Sequence, residues 1–203
     1  MSVPNVKNKP YIIGLTGGIA SGKSVAANYF KKSGIVVLDS DLIVQHLWQT
    51  NDEMVRKIEA LFDFEIKTKQ DRKRISQIIF NDRKMRLKLN DIVHPLVFLE
   101  LEKQLAMHQD QKLIVVDMPL LFEVGYEKKC DVTCLVYTTE EIQIERLMIR
   151  DQMSKEDAFL RLKSQMSIEE KKLKVDIIFD NQGDLNYLYY QIDQFLKGFL
   201  DEE

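Results

Sequence analysis

Little in this chain marks it for stapling, membrane spanning or flexing. Its 203 residues include two cysteines, four prolines, eight glycines and one tryptophan. Two cysteines cannot build a scaffold of several disulfides. Cys130 and Cys134 lie four apart, which is not C-x-x-C, and no His/Cys cluster accompanies them. They read as reduced, partly buried thiols of a cytoplasmic protein. No apolar run approaches the roughly 18 residues of a membrane helix, so no membrane partner is expected. The opening MSVPNVKNKP has no apolar segment of a secretory signal. With proline and glycine so scarce, no flexible linker divides the chain, and no internal repeat or low-complexity tract is present. The formal net charge of −3, from 29 basic and 32 acidic residues, argues against binding polyanions by bulk charge. Nucleic acid is not an expected partner.

What is there is ordinary for a globular domain: 45% apolar and 30% charged residues, enough for one sizeable core. Five short apolar runs read as strands: Tyr11–Thr16, Ile35–Asp39, Leu113–Asp117, Val132–Tyr137 and Val175–Phe179. Most are continuous rather than alternating, which suits strands covered on both faces, as in a parallel sheet. Helical stretches separate them. SVAANYFKK runs to Gly34, a C′ glycine. LVFLELEKQLAMH follows Pro95, which fits the first turn of a helix. Thr138 with Glu141, and Ser154 with Asp157, read as capping boxes. The pattern predicts an α/β doubly wound domain: a parallel five-stranded sheet flanked by helices, with helical insertions after strands two and four.

Three of the eight glycines fall within GGIASGKS, Gly17 to Ser24. The segment matches G-x-x-x-x-G-K-[ST], with a strand before it and a helix after it. Glycine lets phosphate oxygens approach backbone N–H groups that a Cβ would block. The expected phosphate nest comprises Gly18, Ile19, Ala20, Ser21, Gly22, Lys23, Ser24 and Val25, with the helix dipole adding to it. Lys23 is expected at the β and γ phosphates of ATP, and the Ser24 hydroxyl on Mg²⁺. No N/T-K-x-D tetrapeptide for guanine is present, and the chain is short for a motor. Phosphoryl transfer to a small acceptor is favoured.

Carboxylates supply the next signal. Asp39 and Asp41 follow strand two, where doubly wound folds bind ligands. A carboxylate there can take or orient the proton of an attacking hydroxyl, or help hold Mg²⁺; the alternative is that Ser40 or Asp41 simply opens the next helix. Asp117 ends strand three as a Walker-B-like residue and a candidate Mg²⁺ ligand. Between Lys67 and Lys88 lie nine basic and two acidic residues, a local +7. This run reads either as a steering patch for an anionic acceptor or as a solvated helix face.

Taken together, these motifs resemble the dephospho-CoA kinase family. The resemblance covers about residues 10–195. It rests on IGLTGGIASGKS, on DSD in place of the family's D-A-D, on LNDIVHP, PLLFE and MSKEDAFLRLKSQMSIEEK, and on FDNQGD. It implies a P-loop kinase fold in one domain of 1–203, with a core of about 10–42, 112–140 and 172–203. A helical CoA-binding insertion is implied over about 43–111 and a lid over about 141–171. It implies transfer of the ATP γ-phosphate to the ribose 3′-hydroxyl of dephospho-CoA by a cytoplasmic monomer or weak homo-oligomer. Asp41 would be the base or orienter, with Asp39 near Mg²⁺ or the acceptor. His94, Pro119, Leu120, Leu121 and Glu123 would line the acceptor site. Arg146 and Arg150, four apart on one helix face, would close over the phosphates, with Arg161 as a further candidate. These arginines could instead pair with Glu145 or Asp151. Asn181 and Gly183 would wrap the adenine. The alternatives are a kinase of the nucleoside monophosphate type and a nucleotide-dependent switch.

Overall fold

The computed structural model describes residues 9–200. Residues 1–8, most of the stretch read above for a signal, lie outside the described residues. The chain divides into two compact units: one is Asp39–Met107, the other the chain up to Leu38 and from His108 onward.

The second of these carries the sheet. Its strands, numbered in chain order, are β1 Tyr11–Gly17, β2 Val36–Asp39, β3 Leu113–Asp117, β4 Val132–Tyr137 and β5 Ile177–Asp180. The order across the sheet is β2-β3-β1-β4-β5, all parallel. Ile13 of β1 pairs with Val115 on one side and Val132 on the other. The sheet is flanked by α1 Lys23–Lys32, α6 Glu140–Asp151, α7 Lys155–Leu162, α8 Ile168–Lys172 and α9 Leu185–Leu200. Alternate strand residues Ile13, Leu15, Val115, Cys134 and Val136 meet Ala26, Ala27 and Phe30 of α1 and Leu188, Ile192 and Leu196 of α9. The two alanines let α1 lie close to the sheet. Each large aliphatic side chain taken fully out of water contributes about 1.5–3 kcal/mol. On separate clusters, Ile168 packs with Leu135 and Tyr137, and Ala158 of α7 with Ile144 and Leu147 of α6. Both thiols are unbridged; burial pushes the half-buried Cys130 up to about 12 and moves Cys134 further the same way.

Strands β3 and β4 have the expected bounds, and β1 runs one residue further, to Gly17. Strand β5 begins at Ile177 rather than Val175. Asp176 is tied to Thr133 of β4 by both backbone and side chain: its N–H donates to the Thr133 carbonyl at 3.2 Å, and its carboxylate takes the Thr133 N–H at 2.8 Å and hydroxyl at 2.7 Å. The cap of α6 is also displaced. Thr139, not Thr138, accepts the Ile142 N–H at 3.4 Å, and the Thr138 hydroxyl is buried. Ser154 caps α7 as expected, accepting the Asp157 N–H at 3.1 Å. Two full capping boxes went unread, Thr68 with Asp71 and Ser167 with Glu170.

The other unit is helical: α2 Ser40–Thr50, α3 Asp52–Phe62, α4 Lys69–Asn81 and α5 Arg83–Met107. Asn51 joins α2 to α3, its side chain accepting the Met54 N–H at 2.8 Å. Pro95 does not start a helix. It lies inside the 25-residue α5. A proline there removes the bond to the Asp91 carbonyl and costs about 3 kcal/mol. Leu89, Val93, Val97 and Leu101, each four apart, form one buried stripe on both sides of it, and this burial carries the helix through. The basic run is partly pinned: Arg72 lies over Trp48 at 5.2 Å and Arg74 over Phe64 at 4.3 Å.

Helix α1 ends as expected. Gly34 has φ +82°, its N–H reaches the Lys31 carbonyl at 3.1 Å, and the Ile35 N–H reaches that of Phe30 at 3.1 Å. This is a Schellman end, and it needs a left-handed residue. A Cβ on Gly34 would meet nothing within 4 Å, so only backbone strain opposes a side chain there. Gly34→Ala is expected to lower stability by about 1–2 kcal/mol, read by urea unfolding, without altering nucleotide binding.

Candidate active site

The glycine-rich loop leaves β1 at Gly17 and enters α1 at Lys23, with Gly22 at the helix N-cap. Its turn is closed by the Ser21 N–H donating to the Gly18 carbonyl at 3.1 Å. Two residues are left-handed, Ala20 at φ +59° and Gly22 at φ +94°. Gly22 has a second reason to lack a Cβ, since one would run into the Asn181 amide nitrogen. A Cβ on Gly18 would collide with the Gln143 amide. The first N–H groups of α1, those of Lys23 and Ser24, have no intrahelical acceptor and sit at the positive end of the helix dipole.

The carbonyls of the loop are taken from outside. Gln143 Nε2 donates to the Ile19 carbonyl at 2.5 Å. Arg146 Nη1 lies 3.4 Å from the carbonyls of both Ala20 and Ser21, and its Nη2 donates to the Asn181 carbonyl at 2.9 Å. Asn181 Nδ2 in turn donates to the Ser21 carbonyl at 2.7 Å. Gln143 and Asn181 are almost fully buried. Two buried oxygens close to this latch, Ser21 Oγ and Asn181 Oδ1, have no protein partner.

Lys23 ion-pairs with Asp117, which is buried at the end of β3. The pairing of β3 with β1, Asp117 opposite Leu15, sets that carboxylate beside the loop. The Ser24 side chain is exposed in the first turn of α1. After β3, the Pro119 carbonyl accepts the Thr16 hydroxyl at 3.1 Å and the Lys171 ammonium at 2.5 Å. Leu120 is half-buried; Leu121 is fully buried, under Gly14. Glu123 pairs with Lys171 at 3.1 Å. A cavity of about 280 Å³ lies between Gly18–Ile19 and the α7–α8 loop, lined also by Gln143, Lys163, Gln165 and Ser167.

The three arginines separate. Arg146 is held by the loop. Arg150 makes a two-pronged pair with Asp151 at 2.8 and 2.9 Å, and Arg161 reaches the same carboxylate at 2.7 Å. The Arg150 guanidinium holds the Asp151 carboxyl below the usual range, with Arg161 adding to the effect. Val25 packs at the edge of the core, and Gly183 is exposed in the β5–α9 loop.

Asp39, Asp41 and His94 belong to the helical unit. Asp39 is the cap of α2, its Oδ1 accepting the N–H groups of Asp41 at 2.9 Å and Leu42 at 3.1 Å. Capping thus falls to Asp39 rather than to Ser40 or Asp41. Asp41 is exposed in the first turn. His94 is half-buried on α5, its ring stacked on Phe98 at 6.2 Å.

Asp151 meets Arg150 and Arg161, the alternative pairing read from the sequence, whereas Gln143 and Lys171 were not singled out. Gln143 was legible in principle, because it lies four before buried Leu147 and three before Arg146, on one helix face. Lys171 stands in the run EEKKLK, where nothing separates a buried lysine from exposed ones.

A family model described as Dephospho-CoA kinase matches residues 11–186. The chain belongs to the dephospho-CoA kinase family. It is 41% identical to the dephospho-CoA kinase of Staphylococcus haemolyticus over 201 residues, 96% of this chain and 99% of that one. Among solved structures it is similar to a Thermus thermophilus protein, with a TM-score of 0.80 and 30% identity over 93% of this chain and 97% of that one. It is also similar to the dephospho-CoA kinase of Campylobacter jejuni, with a TM-score of 0.62 and 25% identity over 94% and 97% of the two chains. The chain is therefore an ATP-dependent kinase of the P-loop fold. Among the described residues, no helix is long and apolar enough to cross a membrane.

Two outcomes are expected from this geometry. Gln143→Leu leaves the Ile19 carbonyl without its side-chain donor, and should cost about 1 kcal/mol in urea unfolding and weaken ATP binding measured by calorimetry. Burial lowers the pKa of His94, with Asp91 opposing. Its proton NMR titration should therefore have a midpoint below the usual value of about 6.5. The sign for stability follows. Above that pH His94 has no effect, and as pH falls below it the unfolded chain takes up the proton first, so the folded state is weakened.

Proposed function

We propose that this chain carries ATP in the latched loop and transfers its γ-phosphate to the ribose 3′-hydroxyl of dephospho-CoA, giving CoA and ADP. The observation that carries this reading is the loop itself. Its carbonyls are bound from behind by Gln143, Arg146 and Asn181, and Lys23 stands at its exit against Asp117.

In this reading, backbone N–H groups from Gly18 to Val25 bind the phosphates, and Lys23 swings from Asp117 to the β and γ phosphates when ATP enters. The Asp41 carboxylate takes the proton of the 3′-hydroxyl. The hydroxyl oxygen then forms the new bond to the γ-phosphorus, while the bond from that phosphorus to the β–γ bridging oxygen breaks and the bridging oxygen leaves as part of ADP. Asp41 suits the role because it is exposed directly after β2, and Asp39 orients this turn by capping it. His94 and the turn Pro119–Glu123 serve the acceptor. Arg150 and Arg161, gathered on Asp151, supply positive charge for the phosphoryl group as it transfers. Asn181 and Gly183 border the base.

The donor set suits Mg²⁺. Ser24 and Asp117 offer hard oxygen ligands, and among the described residues no group of three or more acidic, histidine or cysteine side chains could cage a metal. Mg²⁺ is normally held by one or two side chains together with substrate phosphates and water. When bound it would neutralise charge on the β and γ oxygens. A cytoplasmic location fits a kinase that draws on ATP and carries unbridged thiols.

ADP release is expected to be strongly stimulated by dephospho-CoA and not by AMP, CMP or shikimate, with CoA as the product. Asp41→Asn should lower kcat by about 100-fold or more while ATP affinity is kept. Stimulation by another acceptor would discard the substrate assignment, and an unchanged kcat would discard the base.

A further inference from the structure

Among the described residues two ionised side chains are buried, Asp117 and Lys171. Asp117 is answered by Lys23. Lys171 plays no part in the chemistry above, yet its ammonium ties together three segments around the site. It rises from α8 and donates to the Pro119 carbonyl, which also holds the Thr16 hydroxyl at the end of β1. Its ion-pair partner, Glu123 Oε1, also accepts the Met166 N–H at 3.1 Å in the loop before α8. One cation thus joins the end of β1, the turn after β3 and the α7–α8 loop. That loop also borders the cavity beside Gly18 and Ile19.

Such a group works against folding. A charge taken fully out of water loses hydration that one carboxylate and one carbonyl only partly return, although removing it alone would leave the Glu123 carboxylate without its cation. Burial pushes the Lys171 pKa down, Glu123 opposes this, and the like charge of Lys23 adds to the fall. Its value therefore lies in where it holds its partners.

We propose that Lys171 is a positioning residue for the acceptor: it fixes the turn Pro119–Glu123 against β1 and the α7–α8 loop, so that the acceptor-facing wall keeps one position beside the phosphate cradle. This rests on the reading that the turn serves dephospho-CoA. Lys171 is fully buried and its partners are Pro119 and Glu123, so its loss acts through that turn. Acceptor parameters should move while ATP binding does not.

The test uses the full chain and three variants, K171M, K171R and E123Q. ADP formation is followed with each substrate varied in turn, alongside ATP calorimetry and thermal unfolding. K171M is expected to unfold at a somewhat lower temperature, because Glu123 loses its cation, and to bind ATP unchanged. Its kcat/KM for dephospho-CoA should fall on the order of 100-fold, as for a displaced positioning group. K171R, which keeps the charge, should recover part of the loss. E123Q should shift the acceptor parameter in the same direction, and adding it to K171M should bring little further loss. An unchanged acceptor kcat/KM in K171M overturns the proposal. So does a parallel loss of ATP and acceptor binding, which would make Lys171 merely structural. Should K171M fail to fold, E123Q decides alone, and its having wild-type acceptor kinetics overturns the proposal. Absence of turnover by the wild type with dephospho-CoA would overturn the functional reading and this inference with it. Normal wild-type turnover with an unaffected K171M overturns only the inference.

Discussion

A loop that presents its N–H groups to phosphate must settle its carbonyls elsewhere. Left buried and unbonded, each would cost about 1–3 kcal/mol, and the loop would relax into another shape. Here the carbonyls of Ile19, Ala20 and Ser21 are met by Gln143, Arg146 and Asn181. The sheet order makes this possible. With β4 next to β1 and β5 beyond it, α6 and the residue after β5 emerge on the same edge as the loop. Arg146 spans both, holding the loop with one nitrogen and the Asn181 carbonyl with the other.

The same economy of placement governs charge. The register of β3 on β1 sets Asp117 opposite Leu15, two residues before the loop begins, and Lys23 meets it one turn later. In this state the lysine is held by a buried carboxylate instead of sampling solvent. It therefore starts near where it is needed, at a smaller loss of conformational entropy. Lys171 behaves similarly from the other side, joining the turn after β3 to α8. The arginines divide between two tasks. Arg146 serves the backbone, and Arg150 and Arg161 converge on Asp151. Spacing of four along α6 puts Arg146 and Arg150 on one face but does not say what that face meets.

Much of the fold was legible. Continuous apolar runs flanked by helices mark buried parallel strands, and LIVVD and VTCLVY have the bounds expected of them. Gly34 ends α1 because only a left-handed residue completes that turn. The misplacements share a cause: tertiary contacts outweighed local preference. Pro95 reads as a helix start, but a buried stripe carries α5 across it. Thr138 reads as a cap, but its hydroxyl is buried and the next threonine takes the role. Asp176, just before β5, is bound to Thr133 of β4 by its carboxylate as well as its backbone.

The sequence by itself determined the order of elements, the phosphate loop and the residue types for phosphoryl transfer. These depend on neighbours within a few positions: a glycine where φ is positive, a lysine and serine at a helix start, a carboxylate at a strand end. Only the tertiary structure decided which polar side chains are buried and what each one holds. Gln143 and Lys171 look like surface residues in the chain, because their partners lie 48 to 124 positions away. Contacts at that range are set by sheet order and helix packing, and no local pattern encodes them.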